Sequence, residues 1–191
     1  DDKVRPERSK PAKKRVLIFS PHPDDDVISM GGTFDRLVSQ GHEVHVAYQT
    51  SGNIAVSNSD VLRYLEVINS TFPDCECEND ELIEMLKNSS DIINNSRIRE
   101  IAATIREKES LAATRFIGIS DNQVHFLKLP FYETGTIKKN IPTVEDKKII
   151  SETIKKIKPH QIYAAGDLAD PHGTHKVCLD ILFDSLKDLK S

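Results

Sequence analysis

The segment from Arg15 to Tyr48 constrains the fold of this chain more than any other. Arg15-Val-Leu-Ile-Phe-Ser20 is an unbroken apolar run of β-formers, the pattern of a strand buried on both faces. Residues 27–40 have helical spacing, with Ile28, Met30, Phe34, Leu37 and Val38 available for one face. Gly41 supplies a stop signal after them. Glu43-Val-His-Val-Ala-Tyr48 predicts a second strand. Strand, loop, helix and strand in that order spell a βαβ unit, which joins parallel strands and covers the sheet with helices.

The alternation continues down the chain. The spacing predicts helices over 60–72, 81–87, 96–116, 143–156 and 174–186, and strands over 123–129 and 161–165. Within 96–116 the expected buried positions are Ile98, Ile101, Ile105, Leu111 and Ala112. Thr143 is a cap candidate. The fold class that follows is α/β, a Rossmann-like three-layer sandwich with a mainly parallel sheet. Residues 1–14 carry Lys3, Arg5, Arg8, Lys10, Lys13 and Lys14 with Pro6 and Pro11. They read as a basic tail or linker that buries too little surface to order itself. Residues 15–191 form the domain.

Composition narrows the function classes. There are 26 Lys+Arg against 30 Asp+Glu, net −4, without the basic excess of a nucleic-acid binder. No apolar run approaches the ~20 residues of a membrane span, and no signal core opens the chain. Cys75, Cys77 and Cys178 are an odd, low count, which suits a reducing, cytoplasmic setting without a disulfide framework. Cys75 and Cys77 are expected to form neither a bridge nor a metal site. No phosphate loop, dinucleotide fingerprint or serine-nucleophile elbow is present. Gly31-Gly32 lacks the phosphate-loop spacing and reads as a place of close helix-on-sheet packing.

Two segments carry chemistry. Pro21-His22-Pro23-Asp24-Asp25-Asp26 follows the first strand, and residues 166–175, ending in His172-Gly173-Thr174-His175, follow the last. Ligands of open α/β sheets bind outside the carboxyl ends of the strands, so both segments belong at one edge. Imidazole and carboxylate together suit Zn²⁺. His22, Asp25 and His175 would supply nitrogen, oxygen and nitrogen, leaving a position for water. Asp24 would then be free to act on that water, and His172 would sit beside the metal without binding it. Asp26 reads as a cap of the next helix. Each segment alone also fits a solvated loop; their joint occurrence favours the metal. His42, His45, His125 and His160 receive no role.

Val16-Leu-Ile-Phe-Ser-Pro-His-Pro-Asp-Asp-Asp26 resembles the opening strand and metal motif of the PIG-L/LmbE-like zinc deacetylases. Three more segments agree: Thr50-Ser-Gly-Asn53, Arg106-Glu-Lys-Glu109, and Lys158-Pro159 with the segment ending at His175. Asp26 stands where the family usually has Glu, and Gly173-Thr174 replaces a Pro-Asp pair. Residues 57–95 look like an insertion, and the family usually continues past this C-terminus, so the domain is expected to be incomplete there. Tyr48-Gln-Thr-Ser-Gly-Asn-Ile-Ala55 and Pro130-Phe-Tyr-Glu-Thr-Gly135 further resemble a deacetylase-like domain fused behind a bacterial glucosamine-6-phosphate deaminase.

The resemblance implies a hydrolase removing the N-acetyl group of an N-acetylglucosamine-type sugar. Zn²⁺ would sit on His22, Asp25 and His175. Asp24 would be the general base, and His172 would stabilise the oxyanion. The partners implied are a small-molecule amino-sugar, a fused N-terminal deaminase domain and an oligomer, with no nucleic acid and no membrane span. The alternative is a non-catalytic module that senses an amino-sugar or its phosphate for the attached deaminase.

Overall fold

The computed structural model describes residues 11–72, 79–88, 95–136, 138–166, 169 and 172–190. Cys75, Cys77, Asp167 and Asp170 lie outside them.

Strand β1 is Arg15–Ser20, helix α1 Asp25–Ser39 and strand β2 Glu43–Tyr48. Helices α2 (Asn58–Thr71), α3 (Asn79–Asn88) and α4 (Ser96–Phe116) follow, then the short strand β3 (Val124–Phe126). Helix α5 is Val144–Ile157, strand β4 Gln161–Ala164 and helix α6 Thr174–Asp188. Single turns of 3₁₀ helix occupy Asn53–Ala55 and Asp121–Gln123.

The four strands are parallel in the order β3-β2-β1-β4. Central β1 is buried on both faces, which explains its continuous apolar run. Leu17, Phe19 and Ala47 face one layer with Leu129, Phe131, Ile150, Ile181 and Leu182. Val16, Ile18, Val44, Val46 and Tyr48 face the other with Phe34 and Leu37 of α1. The α/β sandwich expected from the alternation is the fold observed. Residues from 57–95 contribute α2 and α3, whose Val61, Leu65, Leu82 and Ile83 pack with Ile98, Ala102 and Ile105 of α4 in a separate cluster.

Several local expectations change. Strand β3 is shorter than 123–129 because Lys128 takes a left-handed φ of 49°, which breaks the extended backbone. Ala112 is exposed and Leu111 half-buried; the C-terminal half of α4 buries Ser110 and Thr114 instead. Their hydroxyls bond to the Arg106 and Ser110 carbonyls, so these polar positions carry no desolvation debt. Close packing does not explain Gly31-Gly32: a Cβ at Gly32 would meet nothing within 4 Å. The irregularity lies beside them, where Met30 leaves helical geometry (φ −147°). Thr143 caps α5 as expected, its N–H and hydroxyl donating to Asp146 Oδ2 at 2.7 and 3.0 Å.

Candidate active site

The site forms at the carboxyl ends of β1 and β4, the edge the topology favours. Beyond β1 the chain turns sharply. The Ser20 hydroxyl donates to the His22 carbonyl at 2.6 Å and accepts from the Asp26 N–H at 3.0 Å. This turn folds Asp25 back under His22, whose N–H donates to Asp25 Oδ2 at 2.8 Å. His175 comes from the first turn of α6, entered through Gly173 at a left-handed φ of 69°.

Three side chains converge. His22 Nδ1 lies 3.1 Å from Asp25 Oδ2 and 3.1 Å from His175 Nε2. His175 Nε2 lies 3.2 Å from Asp25 Oδ2. Among the described residues this is the group of His, Cys, Asp and Glu side chains that can hold a metal ion. The donor chemistry fits one: two imidazole nitrogens and a carboxylate oxygen share one point, and hydrogen bonds alone cannot serve all three contacts. Two N–H groups aimed at the same oxygen would also face each other. A single cation resolves that conflict. Burial raises the Asp25 carboxyl pKa, but the His22 ring and N–H and the His175 ring outweigh it, leaving the pKa below the ordinary range.

Asp24 stands outside this trio, with one of its two carboxylate oxygens engaged. Its Oδ1 pairs with Arg106 Nη2 at 2.9 Å. Nor does Asp26 cap α1. It is buried, and Tyr48 Oη donates to its Oδ2 at 2.9 Å. Burial raises the Asp26 pKa, partly offset by that hydrogen bond. The chain enters α1 through Asp24 instead, whose carbonyl accepts from the Val27 and Ile28 N–H groups.

A cavity of about 590 Å³ opens over His22 and Asp25. His22, Asp24, Asp25 and His172 line it, together with Gly52, Ile54, Ala55, Arg106, Tyr132 and Lys139. The His172 carbonyl accepts from Lys139 Nζ at 3.3 Å. Glu133 ties the Tyr132 loop to the β2 exit by accepting from the Ser51 N–H and hydroxyl at 2.8 and 3.0 Å. Burial raises the Tyr132 phenol pKa to about 12. Reading by motif did not single out Lys139, and it quoted Arg106 and Tyr132 without roles. The helical spacing of α4 puts Arg106 on the same face as the buried Arg99, two turns along, the signal that could have found Arg106.

The model of the family PIG-L, GlcNAc-PI de-N-acetylase, matches residues 17–185. A putative glucosamine-6-phosphate deaminase-like protein of Bacteroides thetaiotaomicron is 52% identical over 193 aligned positions. That match covers 96% of this chain but only 29% of the relative. The structure of N,N'-diacetylchitobiose deacetylase from Pyrococcus horikoshii, complexed with its inhibitor MPG, superposes with a TM-score of 0.60 at 20% identity. It matches 97% of this chain and 53% of that one, a likeness of fold. No described helix is long and apolar enough to cross a membrane. With the match running over most of its length, this chain belongs to the PIG-L family of GlcNAc-PI de-N-acetylases.

Proposed function

We propose that this chain hydrolyses the N-acetyl group of an N-acetylglucosamine-type sugar, with Zn²⁺ held by His22, Asp25 and His175. Family membership supports the reaction class. The observation that carries the metal is the convergence of His22 Nδ1, Asp25 Oδ2 and His175 Nε2 within 3.1–3.2 Å.

Zinc held there would supply a water of lowered pKa and a Lewis acid for the acetamide carbonyl. The chain's own residues do the rest. Arg106 engages Asp24 Oδ1, so Oδ2 is the atom that takes the proton from the attacking water. Asp24 returns that proton to the sugar nitrogen as the C–N bond breaks. Acetate and a free amine leave. His172 donates to the carbonyl oxygen as its charge builds, and Tyr132 closes the cavity wall beside His22, edge to face at 5.9 Å. The Bacteroides relative's name and its greater length support a place within a larger amino-sugar-metabolising protein.

The test is acetate release from N-acetylglucosamine and its 6-phosphate, before chelation, after it, and after zinc is restored. Release that stops and returns supports the reading. A chain that holds zinc and binds the sugars but frees no acetate would instead be a sensing module.

A further inference from the structure

We propose that Lys139 is a positioning residue: it ties the segment carrying His172 and His175 to the anchored Tyr132 loop, and turnover depends on that tie. The roles of His172 and His175 rest on the deacetylase reading above; the tie rests on the contacts of Lys139 itself.

Lys139 lies on the connection between β3 and α5, and that connection closes on itself. The Asn140 N–H donates to the Phe131 carbonyl at 2.8 Å, and the Tyr132 N–H to the Leu129 carbonyl at 3.0 Å. Leu129 and Phe131 are buried in the core, and Asp146 Oδ1 accepts from the Phe131 N–H at 2.9 Å. The backbone under Lys139 is therefore fixed on the core side. From there the half-buried side chain crosses the face of Tyr132, with Nζ 5.3 Å from the ring centroid. It ends at the start of α6, where Nζ donates to the His172 carbonyl at 3.3 Å and to the Thr174 hydroxyl. Those two acceptors bracket Gly173, and Thr174 directly precedes His175.

The start of α6 is built differently from the helix starts elsewhere in the fold. Ser57 and Asn95 cap α2 and α4 through their side chains. The N-cap of α6 is Gly173, which offers no side chain to the first N–H groups. Helix stability does not explain a lysine at this place, because a cation there faces the positive end of the helix dipole. Its effect is geometric. It holds the backbone on both sides of Gly173, and so fixes where His172 and His175 depart. A site of this kind depends on the outer contacts that orient its inner side chains.

The test compares the unaltered chain with Lys139→Met, Lys139→Arg and Lys147→Met. The last removes a lysine that contacts α6 at Asp184 instead, at 2.8 Å. In the metal-free chain the first readout is hydrogen exchange of the Val177 amide, which closes the first turn of α6 onto the Gly173 carbonyl at 3.2 Å. Exchange should be about tenfold faster in Lys139→Met, and close to normal in Lys139→Arg and Lys147→Met. In the zinc-loaded chain, Lys139→Met should lower kcat on N-acetylglucosamine about tenfold with KM within about twofold. Lys139→Arg should recover most of that loss. Since the tie acts through His172, adding Lys139→Met to His172→Ala should lower kcat by less than about twofold further. Unchanged exchange, an unchanged kcat in Lys139→Met, or losses that add in full would overturn the proposal. Failure of the deacetylase reading looks different: the unaltered chain frees no acetate, while exchange at Val177 still quickens in Lys139→Met.

Discussion

Arg106 Nη2 holds Asp24 Oδ1 at 2.9 Å, reaching from the middle of α4 to the loop after β1. The carboxylate proposed as the base is thus fixed at one oxygen and open at the other. Asp24→Asn should keep its metal and lose about 10²–10⁴ in turnover, the usual contribution of a positioned acid–base group. Arg106→Met should also keep the metal and lose up to about 10² through misplacement, with Arg106→Lys recovering part of it. Single-turnover acetate release, measured beside metal content, checks both. Full activity in Arg106→Met would remove Arg106 from the account.

Gly52 makes room for that pair. Its φ is +62°, and a Cβ there would stand 2.9 Å from Pro23 Cδ and 3.2 Å from Arg106 Nε. Gly52→Ala should therefore lose about 1–2 kcal/mol from left-handed strain and slow turnover much as Arg106→Met does. Denaturant titration and kcat test the two halves separately.

Asp146 is the buried anchor of the Tyr132 loop. Its Oδ1 accepts from the Phe131 N–H at 2.9 Å, and its Oδ2 accepts from Thr143. Asp146→Ala strands those donors and should destabilise the fold by about 2–3 kcal/mol. The urea midpoint should fall at unchanged slope, and KM should rise as Tyr132 loosens.

The strands and the converging trio were legible for local reasons. β1 is centred on a continuous apolar run and β2 is rich in β-formers, and the ends of both match the expected ones residue for residue. His22, Asp25 and His175 stand in short motifs directly after strands, where topology alone brings them to one edge. Arg106 and Lys139 were harder. Each lies outside the short motifs after the strands and reaches the cavity through a long, flexible side chain. Asp26 was misread because an acidic residue at a helix start is ordinarily a cap; only the fold brings the Tyr48 hydroxyl above it. Ala112 was misread because apolar spacing was followed where hydroxyls form the buried face.

His125 gives the fold a pH dependence far from the site. Its ring stacks on His45 at 5.4 Å, and Glu43 contacts the other side of His45 at 3.0 Å. Burial, then the His45 and Lys156 charges, push the His125 pKa down to about 4. The unfolded chain, titrating near ~6.5, binds this proton first. The native state therefore loses stability as pH falls from about 6.5 towards 4, by on the order of 1–2 kcal/mol once the ring's partial exposure to solvent is allowed for. His125→Gln should flatten the stability–pH curve over that window. An unchanged slope would exclude His125 as its source.

The central claim is that His22, Asp25 and His175 hold one metal ion while Asp24 does not. The most direct measurement is the zinc stoichiometry of the purified protein and of four single variants, by elemental analysis after dialysis. The account predicts about one zinc per chain, lost in His22→Ala, Asp25→Ala and His175→Ala and retained in Asp24→Asn. Zinc kept by Asp25→Ala and lost from Asp24→Asn would contradict it.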